Sequence, residues 1–372
     1  MDNVLHKFKA YIKDFPEDTL PTVVIVSHDN PDPDSLGSAL GMQRLLRFWN
    51  PNIKTSIIYG GEISHPQNKT MVNILNINPI NKKDIKDKEA KEAKEAKESK
   101  DSQDSGDIKD VAESPKVYIV VDSLPDRSLL DAECIFTIDH HKGDTKKSKF
   151  KDIRTVGATS SIIWDYFQKE GLILDKDSDE DEDIATALIV GIKTDTSDLS
   201  SDNVTDLDFE AYKSLIGFVN QRKLALIIRY PLPPYHFELR SRLDQEGNSI
   251  VDSGVFIGGI GYIVPSKRDA LPTIAEERAR VEGTDTAFIF AIVGDNIEIS
   301  VRSNGLSLDV NAICQNLFGK EYGGGKMGSG AIRMPMGILS IEDDTPEIQQ
   351  KMWEAVKNKL RHKIISEMSR YR

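Results

Sequence analysis

Thr22-Val23-Val24-Ile25-Val26-Ser27-His28-Asp29-Asn30-Pro31-Asp32-Pro33-Asp34-Ser35 is the stretch that decides the fold. Its first five residues are all β-branched, with no polar alternation, which predicts a strand buried on both faces. The chain then turns abruptly polar from His28 to Asp34, where prolines fix a bend, and a helix is expected over Ser35–Phe48. Two later stretches repeat the pattern. Val117–Val121 runs straight into Asp122, and Ile135–Ile138 into Asp139-His140-His141. Short β-branched runs alternating with amphipathic stretches, including Ser160–Lys169 and Ile184–Gly191, predict parallel strands joined by crossover helices. In such an open α/β sheet the carboxyl ends of the strands form the binding crevice, so these three ends are expected to converge there. The acidic run Asp175–Asp183 reads as a solvated loop leading into a helix N-terminus, in preference to a calcium site.

The second half of the chain reads differently. Pro231, Pro233 and Pro234 interrupt any regular element across Tyr230–Glu238, where a connection between domains is expected. Beyond it, Val255–Val264, Thr286–Val293 and Ile297–Arg302 predict strands and Leu306–Phe318 a helix. A glycine-rich loop, Gly323–Gly330, is expected before Ala331–Met334, and Pro346–Ser366 predicts a closing amphipathic helix. The fold class is therefore α/β: an N-terminal parallel-sheet domain with helices on both faces, plus a smaller mixed α/β domain. A chain of 372 residues is long enough for two such cores. Lys82–Glu113, with its Lys-Glu-Ala repeats, is nearly devoid of large apolar residues and reads as an inserted surface spacer.

Composition narrows the partners. A net charge of −12 opposes binding along long duplex DNA, which depends on Lys and Arg neutralising many phosphates. Cys134 and Cys314, far apart and in apolar contexts, suggest neither a disulfide framework nor a cysteine zinc site. The N-terminal residues lack an apolar signal core, and no stretch approaches the roughly 18 apolar residues of a membrane span. A cytoplasmic protein with no membrane partner is expected, and a homodimer is left open.

Taken alone, the residues of His28–Asp34 are turn formers. In company with Asp122, Asp139-His140-His141 and Asp195, they read as a site. Several aspartates gathered at one sheet edge repel one another unless cations compensate. Two divalent ions would do so. Mixed carboxylate and imidazole donors suit manganese(II), with iron(II), cobalt(II) and zinc(II) left open by ligand type.

At this point the chain resembles the DHH phosphoesterases, the RecJ-like group that includes oligoribonucleases and adenosine 3′,5′-bisphosphate phosphatases. His28-x-x-x-Asp32-x-Asp34 is similar to the first family motif, Asp122 to the second, Asp139-His140-His141 to the third, and Asp195 in Gly-Ile-Lys-Thr-Asp-Thr to the fourth. The resemblance implies that His28, Asp32, Asp122 and Asp195 hold one metal, and Asp34, Asp122 and His140 the other. It makes Asp139 an orienting group and places His141 against the substrate phosphate. It divides the chain into a catalytic domain over residues 1–225 with an insert at 82–114, a linker at 226–238, and a DHH-associated substrate-binding domain at 239–372. In the latter, Gly323, Gly324, Gly325, Lys326 and Ser329 look like the family's glycine motif, with Lys326 where histidine is common. Arg302 matches a position that contacts the nucleotide, and Arg333 is a further candidate contact. His65–Asn68 reads as a helix-capping turn that could lie beside the site.

The activity implied is two-metal hydrolysis of small nucleotides or short single-stranded oligoribonucleotides. Cyclic-dinucleotide phosphodiesterase and non-catalytic nucleotide sensor are the alternatives. The Ser-Arg-Lys-Lys-Gln signature of family II pyrophosphatases is missing, as is the basic face expected of a processive exonuclease. Deleting the Lys82–Glu113 spacer is expected to leave turnover largely intact. A folded deletion variant with strongly reduced turnover would show that the segment takes part in the reaction.

Overall fold

β-branched strands form where the sequence places them. In the computed structural model, which describes residues 2–85, 114–125, 132–141, 143–304, 308–326, 328–340 and 345–371, Thr22–Val26 is β1 and the core strand of a six-stranded sheet. Lys54–Tyr59 (β2), Pro79–Asn81 (β3), Lys116–Val121 (β4), Cys134–Asp139 (β5) and Ser148–Ile153 (β6) complete it in the order β3-β2-β1-β4-β5-β6, every pair parallel. The strands expected to share a crevice, β1, β4 and β5, are thus direct neighbours. Their carboxyl ends lie on one sheet edge.

Alternate strand residues divide between two apolar clusters, as the period of two in a strand requires. Val23, Ile25, Val117, Ile119, Val121, Phe136 and Ile138 join the main core with helices α1 (Asp2–Lys13), α2 (Pro33–Trp49), α4 (Thr159–Glu170) and α5 (Asp179–Asp195). Val24, Val26, Ile58 and Val120 form a smaller cluster, against which Ile85 packs. The root of the expected spacer is therefore anchored on the sheet. Residues 86–113, which make up most of that spacer, lie outside the described residues. Helices α3 (Pro66–Ile74), α6 (Asp206–Leu215) and α7 (Gln221–Ile228) finish this unit, Met1–Pro231.

The acidic run is where sequence and structure part. Only Asp175–Ser178 precede α5; Asp179–Asp183 are its first turn, with Ser178 accepting the Asp181 N–H. Asp181 is buried, taking Arg44 through both carboxylate oxygens at 2.6 and 3.2 Å. A hydroxyl cap and negative charge beside the helix N-terminus favour the added turn.

The second unit, Leu232–Arg372, carries a mixed sheet of order β11-β12-β10-β9-β8-β7. Its strands are β7 (Ser249–Asp252), β8 (Val255–Ile263), β9 (Thr286–Val293), β10 (Asn296–Ser303), β11 (Gly323–Lys326) and β12 (Ser329–Pro335). Only β8 and β9 pair in parallel. Helices α8 (Pro234–Arg242), α9 (Ala270–Ala279), α10 (Val310–Phe318) and α11 (Pro346–Met368) pack on it.

Three expectations are corrected here. Pro234 starts α8 at its first turn, where a missing N–H costs nothing. α10 begins at Val310, because Asp309 caps the Ala312 N–H at 2.9 Å; Leu306 lies outside the described residues. The glycine stretch is not a loop: Gly323–Lys326 and Ser329–Pro335 are antiparallel strands. Glycine is needed there for close approach, since a Cβ on Gly323 would sit 2.4 Å from the Cys314 carbonyl oxygen of α10.

The same economy of volume brings α2 onto α5. A Cβ on Gly37 would lie 2.6 Å from the Ala187 carbonyl oxygen, and one on Gly191 would lie 2.9 Å from the Asp34 Cα. Those two contacts fix where Asp34 and Asp195 sit. Among the described residues, no helix is long and apolar enough to cross a membrane. Overpacking a tight core typically costs about 1–3 kcal/mol, so Gly37→Ala is expected to lose stability in that range in urea denaturation. An unchanged midpoint would show that the α2–α5 contact relaxes freely.

Candidate metal centre

Each candidate side chain is delivered by a strand end or a helix end. His28 lies two residues past β1, Asp122 directly after β4, and His140 and His141 directly after β5. Asp32 caps α2 by accepting the Ser35 N–H at 3.0 Å, and Asp34 sits in that helix's first turn. Asp195 ends α5.

These residues meet. His140 Nε2 lies 3.1 Å from Asp195 Oδ2, 3.4 Å from Asp122 Oδ1 and 4.0 Å from Asp34 Oδ2. His28 Nε2 is 3.7 Å from Asp32 Oδ1 and 3.8 Å from Asp122 Oδ2. Among the described residues, three groups have the spacing needed to hold a cation: His28, Asp32 and Asp122; Asp34, His140 and Asp195; and Asp122, His140 and His141. Asp195 is within reach of Asp34 and His140, and its charge also acts on His28, beside which the family resemblance assigns it.

The supports of these side chains are specific. The two Asp34 oxygens accept the Thr159 and Ser160 N–H groups at 2.7 and 2.8 Å, capping α4 from another helix where Ala158 offers no side-chain oxygen. Thr159 Oγ1 donates to Asp122 Oδ1 at 3.0 Å. His140 Nδ1 faces the Val156 carbonyl at 3.2 Å; a carbonyl only accepts, so Nδ1 carries hydrogen and Nε2 is the atom left for a ligand role. Asp139, fully buried, accepts both the His141 N–H at 3.1 Å and its Nδ1 at 2.9 Å. The His141 side chain keeps 42% of its surface exposed. Asp122 takes a left-handed backbone, φ 55°, a conformation costing about 1–3 kcal/mol and concentrated at functional sites.

The donor set fits divalent cations. Among the described residues Asp122 Oδ2 is buried without a hydrogen-bond partner, and His140 Nε2 faces the carboxylate oxygens of Asp195, Asp122 and Asp34, an arrangement that is costly unless a cation completes it. Burial, followed by the Asp195 charge, pushes the Asp34 carboxyl up to about 6. Burial, then Asp34, holds Asp122 well above the usual carboxylate range. Burial alone would lower His140, but the Asp195 and Asp34 carboxylates outweigh it and push the imidazole up to about 9. His28 is also raised, with Asp32 overcoming its burial. These are the signatures of negative charge crowded together, which a bound ion would relieve.

In the second unit, Arg302, Ser329 and Lys326 share one rung across β10, β12 and β11, since Ser329 pairs with both. Gly323, Gly324 and Gly325 are the other residues of β11. Arg302 is largely desolvated, with one guanidinium N–H on the Val301 carbonyl at 2.9 Å, and burial lowers its pKa. Arg333 pairs with Glu298 at 3.4 Å, which also holds Arg268 at 3.0 Å. His65 caps α3, as expected, and Asn68 reaches back to the Pro31 carbonyl at 2.8 Å. Thr159, Ser160 and the Val156 carbonyl were not among the sequence candidates. Gly157-Ala158-Thr159-Ser160-Ser161, small and hydroxylated at a helix start, is the signal that marks them.

Residues 22–192 match the model of the DHH family, N-terminal domain. Over 347 residues the chain is 30% identical to an uncharacterised protein of Methanocaldococcus jannaschii, an alignment covering 92% of this chain and 64% of that protein's length. The fold is similar to that of an exopolyphosphatase-related protein from Bacteroides fragilis, with a TM-score of 0.63, 15% identity and 98% of each chain covered.

Raised pKa values mean that the fold favours the protonated forms, so their contribution to stability is lost as pH climbs through the folded values. For Asp34 the window runs from 3.8 to about 6, and for His140 from 6.5 to about 9. Melting curves in chelator are therefore expected to fall to lower temperature across both windows, and manganese is expected to reverse the loss. Metal-free protein that gains stability through them would contradict this electrostatic picture.

Proposed function

We propose that this chain, whose residues 22–192 form a DHH family N-terminal domain, hydrolyses phosphoester bonds of small nucleotides or short oligoribonucleotides with two divalent ions. The observation that carries the proposal is the division of Asp122: Oδ1 lies on the His140 side and Oδ2 on the His28 side. A carboxylate placed in that way suits a bridge between two cations. His28, Asp32 and Asp195 would complete one position, as the resemblance implies, and Asp34 and His140 the other, with Asp195 also close to His140. Mixed carboxylate and imidazole donors favour manganese.

Ions bound there would supply a nucleophile from water at neutral pH and offset the charge added to a phosphoryl group. The protein's own side chains do the rest. His141, half-exposed and oriented by Asp139, is placed to donate a hydrogen bond to a phosphoryl oxygen and a proton to the leaving oxygen. Asp139 keeps the Nδ1 hydrogen and so directs Nε2 outward. By the family resemblance alone, Arg302, Ser329, Lys326 and the glycines Gly323, Gly324 and Gly325 of the second unit are the candidates for binding substrate. An ammonium at Lys326 suits phosphate as a point charge.

A nucleotide sensor that had lost catalysis would be expected to lack a ligand, and here every expected ligand type is filled. The test is purified protein with manganese against adenosine 3′,5′-bisphosphate, di- to pentaribonucleotides, cyclic dinucleotides and pyrophosphate. Asp122→Ala is expected to abolish turnover of whichever substrate is cleaved. A near-wild-type rate for that variant would overturn the assignment.

A further inference from the structure

Asp122 sits at the end of a buried strand with its two oxygens facing different donor groups, and nothing intrinsic to aspartate holds it so. Rotation about its terminal bond is broad and roughly two-fold, so the carboxylate plane needs an outside constraint. The constraint available is Thr159. Its hydroxyl donates to Asp122 Oδ1 at 3.0 Å, with Thr159 fully buried and Asp122 1% exposed. Among the described residues Asp122 Oδ2 has no hydrogen-bond partner. The constrained oxygen is the one 3.4 Å from His140 Nε2 and 3.8 Å from His141 Nδ1; the bare one is 3.8 Å from His28 Nε2.

Thr159 is itself held. Its N–H donates to Asp34 Oδ2 at 2.7 Å, and its β-branched side chain is stiff about the first torsion. One residue at the start of a twelve-residue helix thus ties a carboxylate of one donor group to the carboxylate shared between groups. We infer that Thr159 is the positioning residue that divides the two Asp122 oxygens between the two cation positions. The inference rests on the two-ion reading above. Thr159 touches neither substrate nor any reacting atom in that reading; it acts through Asp122.

Removing the hydroxyl while keeping the shape isolates this role. Thr159→Val is expected to weaken manganese binding by about 10- to 100-fold, the usual effect of losing a group that orients a metal ligand. Binding is read by equilibrium titration with free manganese followed by electron paramagnetic resonance. Thr159→Ser, which keeps the donor, is expected to bind close to wild type. At saturating manganese the Thr159→Val turnover is expected to recover, with KM for substrate unchanged, whereas a purely structural defect would not be rescued by metal. Thr159→Ala is the second variant should valine prevent folding, with the same expectation. Wild-type affinity in the folded valine or alanine variant overturns the inference and leaves the two-ion reading standing. A wild-type protein that binds no manganese overturns both.

Discussion

Carboxylates cannot be crowded in a low-dielectric interior without compensation, and the N-terminal unit is arranged around that constraint. Asp34 and Asp122 are buried to within 1% of completely, with Asp195 close by and His140 between them. Part of the compensation is internal. The N-terminus of α4 points two N–H groups at Asp34, and its Thr159 hydroxyl reaches Asp122. Among the described residues the remainder is missing, as the bare Asp122 Oδ2 records. A site that is incompletely satisfied by its own chain is shaped for something it binds.

The fold is what makes such crowding possible. Parallel strands bring β1, β4 and β5 side by side, so residues roughly a hundred positions apart in sequence arrive at one edge. The helices then supply depth. Glycine at positions 37 and 191 lets α2 and α5 approach until backbone meets backbone, which carries Asp34 and Asp195 inward to meet the strand-borne residues. Side chains with a Cβ at these positions would hold the helices apart and open the cluster. The left-handed backbone of Asp122 belongs to the same compromise, a costly conformation held at the middle of the cluster.

Much of this was legible in sequence because it rests on short-range patterns. Five β-branched residues followed by His-Asp-Asn-Pro-Asp-Pro-Asp announce a buried strand and a polar turn whatever the rest of the chain does. What escaped depends on contacts between distant segments. The acidic run Asp175–Asp183 looked solvated, and Arg44, 137 residues away from Asp181, is what draws that residue under the surface. The glycines of β11 looked like a flexible turn because their reason, the backbone of α10 pressed against Gly323, lies outside the segment. Thr159 gave only a helix-start signal. Its hydroxyl acquires meaning when β4 places Asp122 within reach.

The distribution of cations suggests how chemistry and substrate choice are separated. Among the described residues, two basic side chains near the centre in sequence are engaged elsewhere: Lys193 with Asp198, and Arg154 with both Asp152 and Asp165. On the proposed reading the phosphoryl group under attack is held by ions and His141, so the centre has little with which to distinguish one phosphoester from another. In the second unit, Arg302 and Ser329 pair across β10 and β12, a guanidinium and a hydroxyl on adjacent strands. Among the described residues the Arg302 guanidinium donates to neutral partners, Ser300 Oγ and the Val301 carbonyl, so a phosphate would gain from it. On the proposed reading, substitutions at that pair would alter substrate preference while the carboxylate cluster, fixed by its own electrostatics, stays the same.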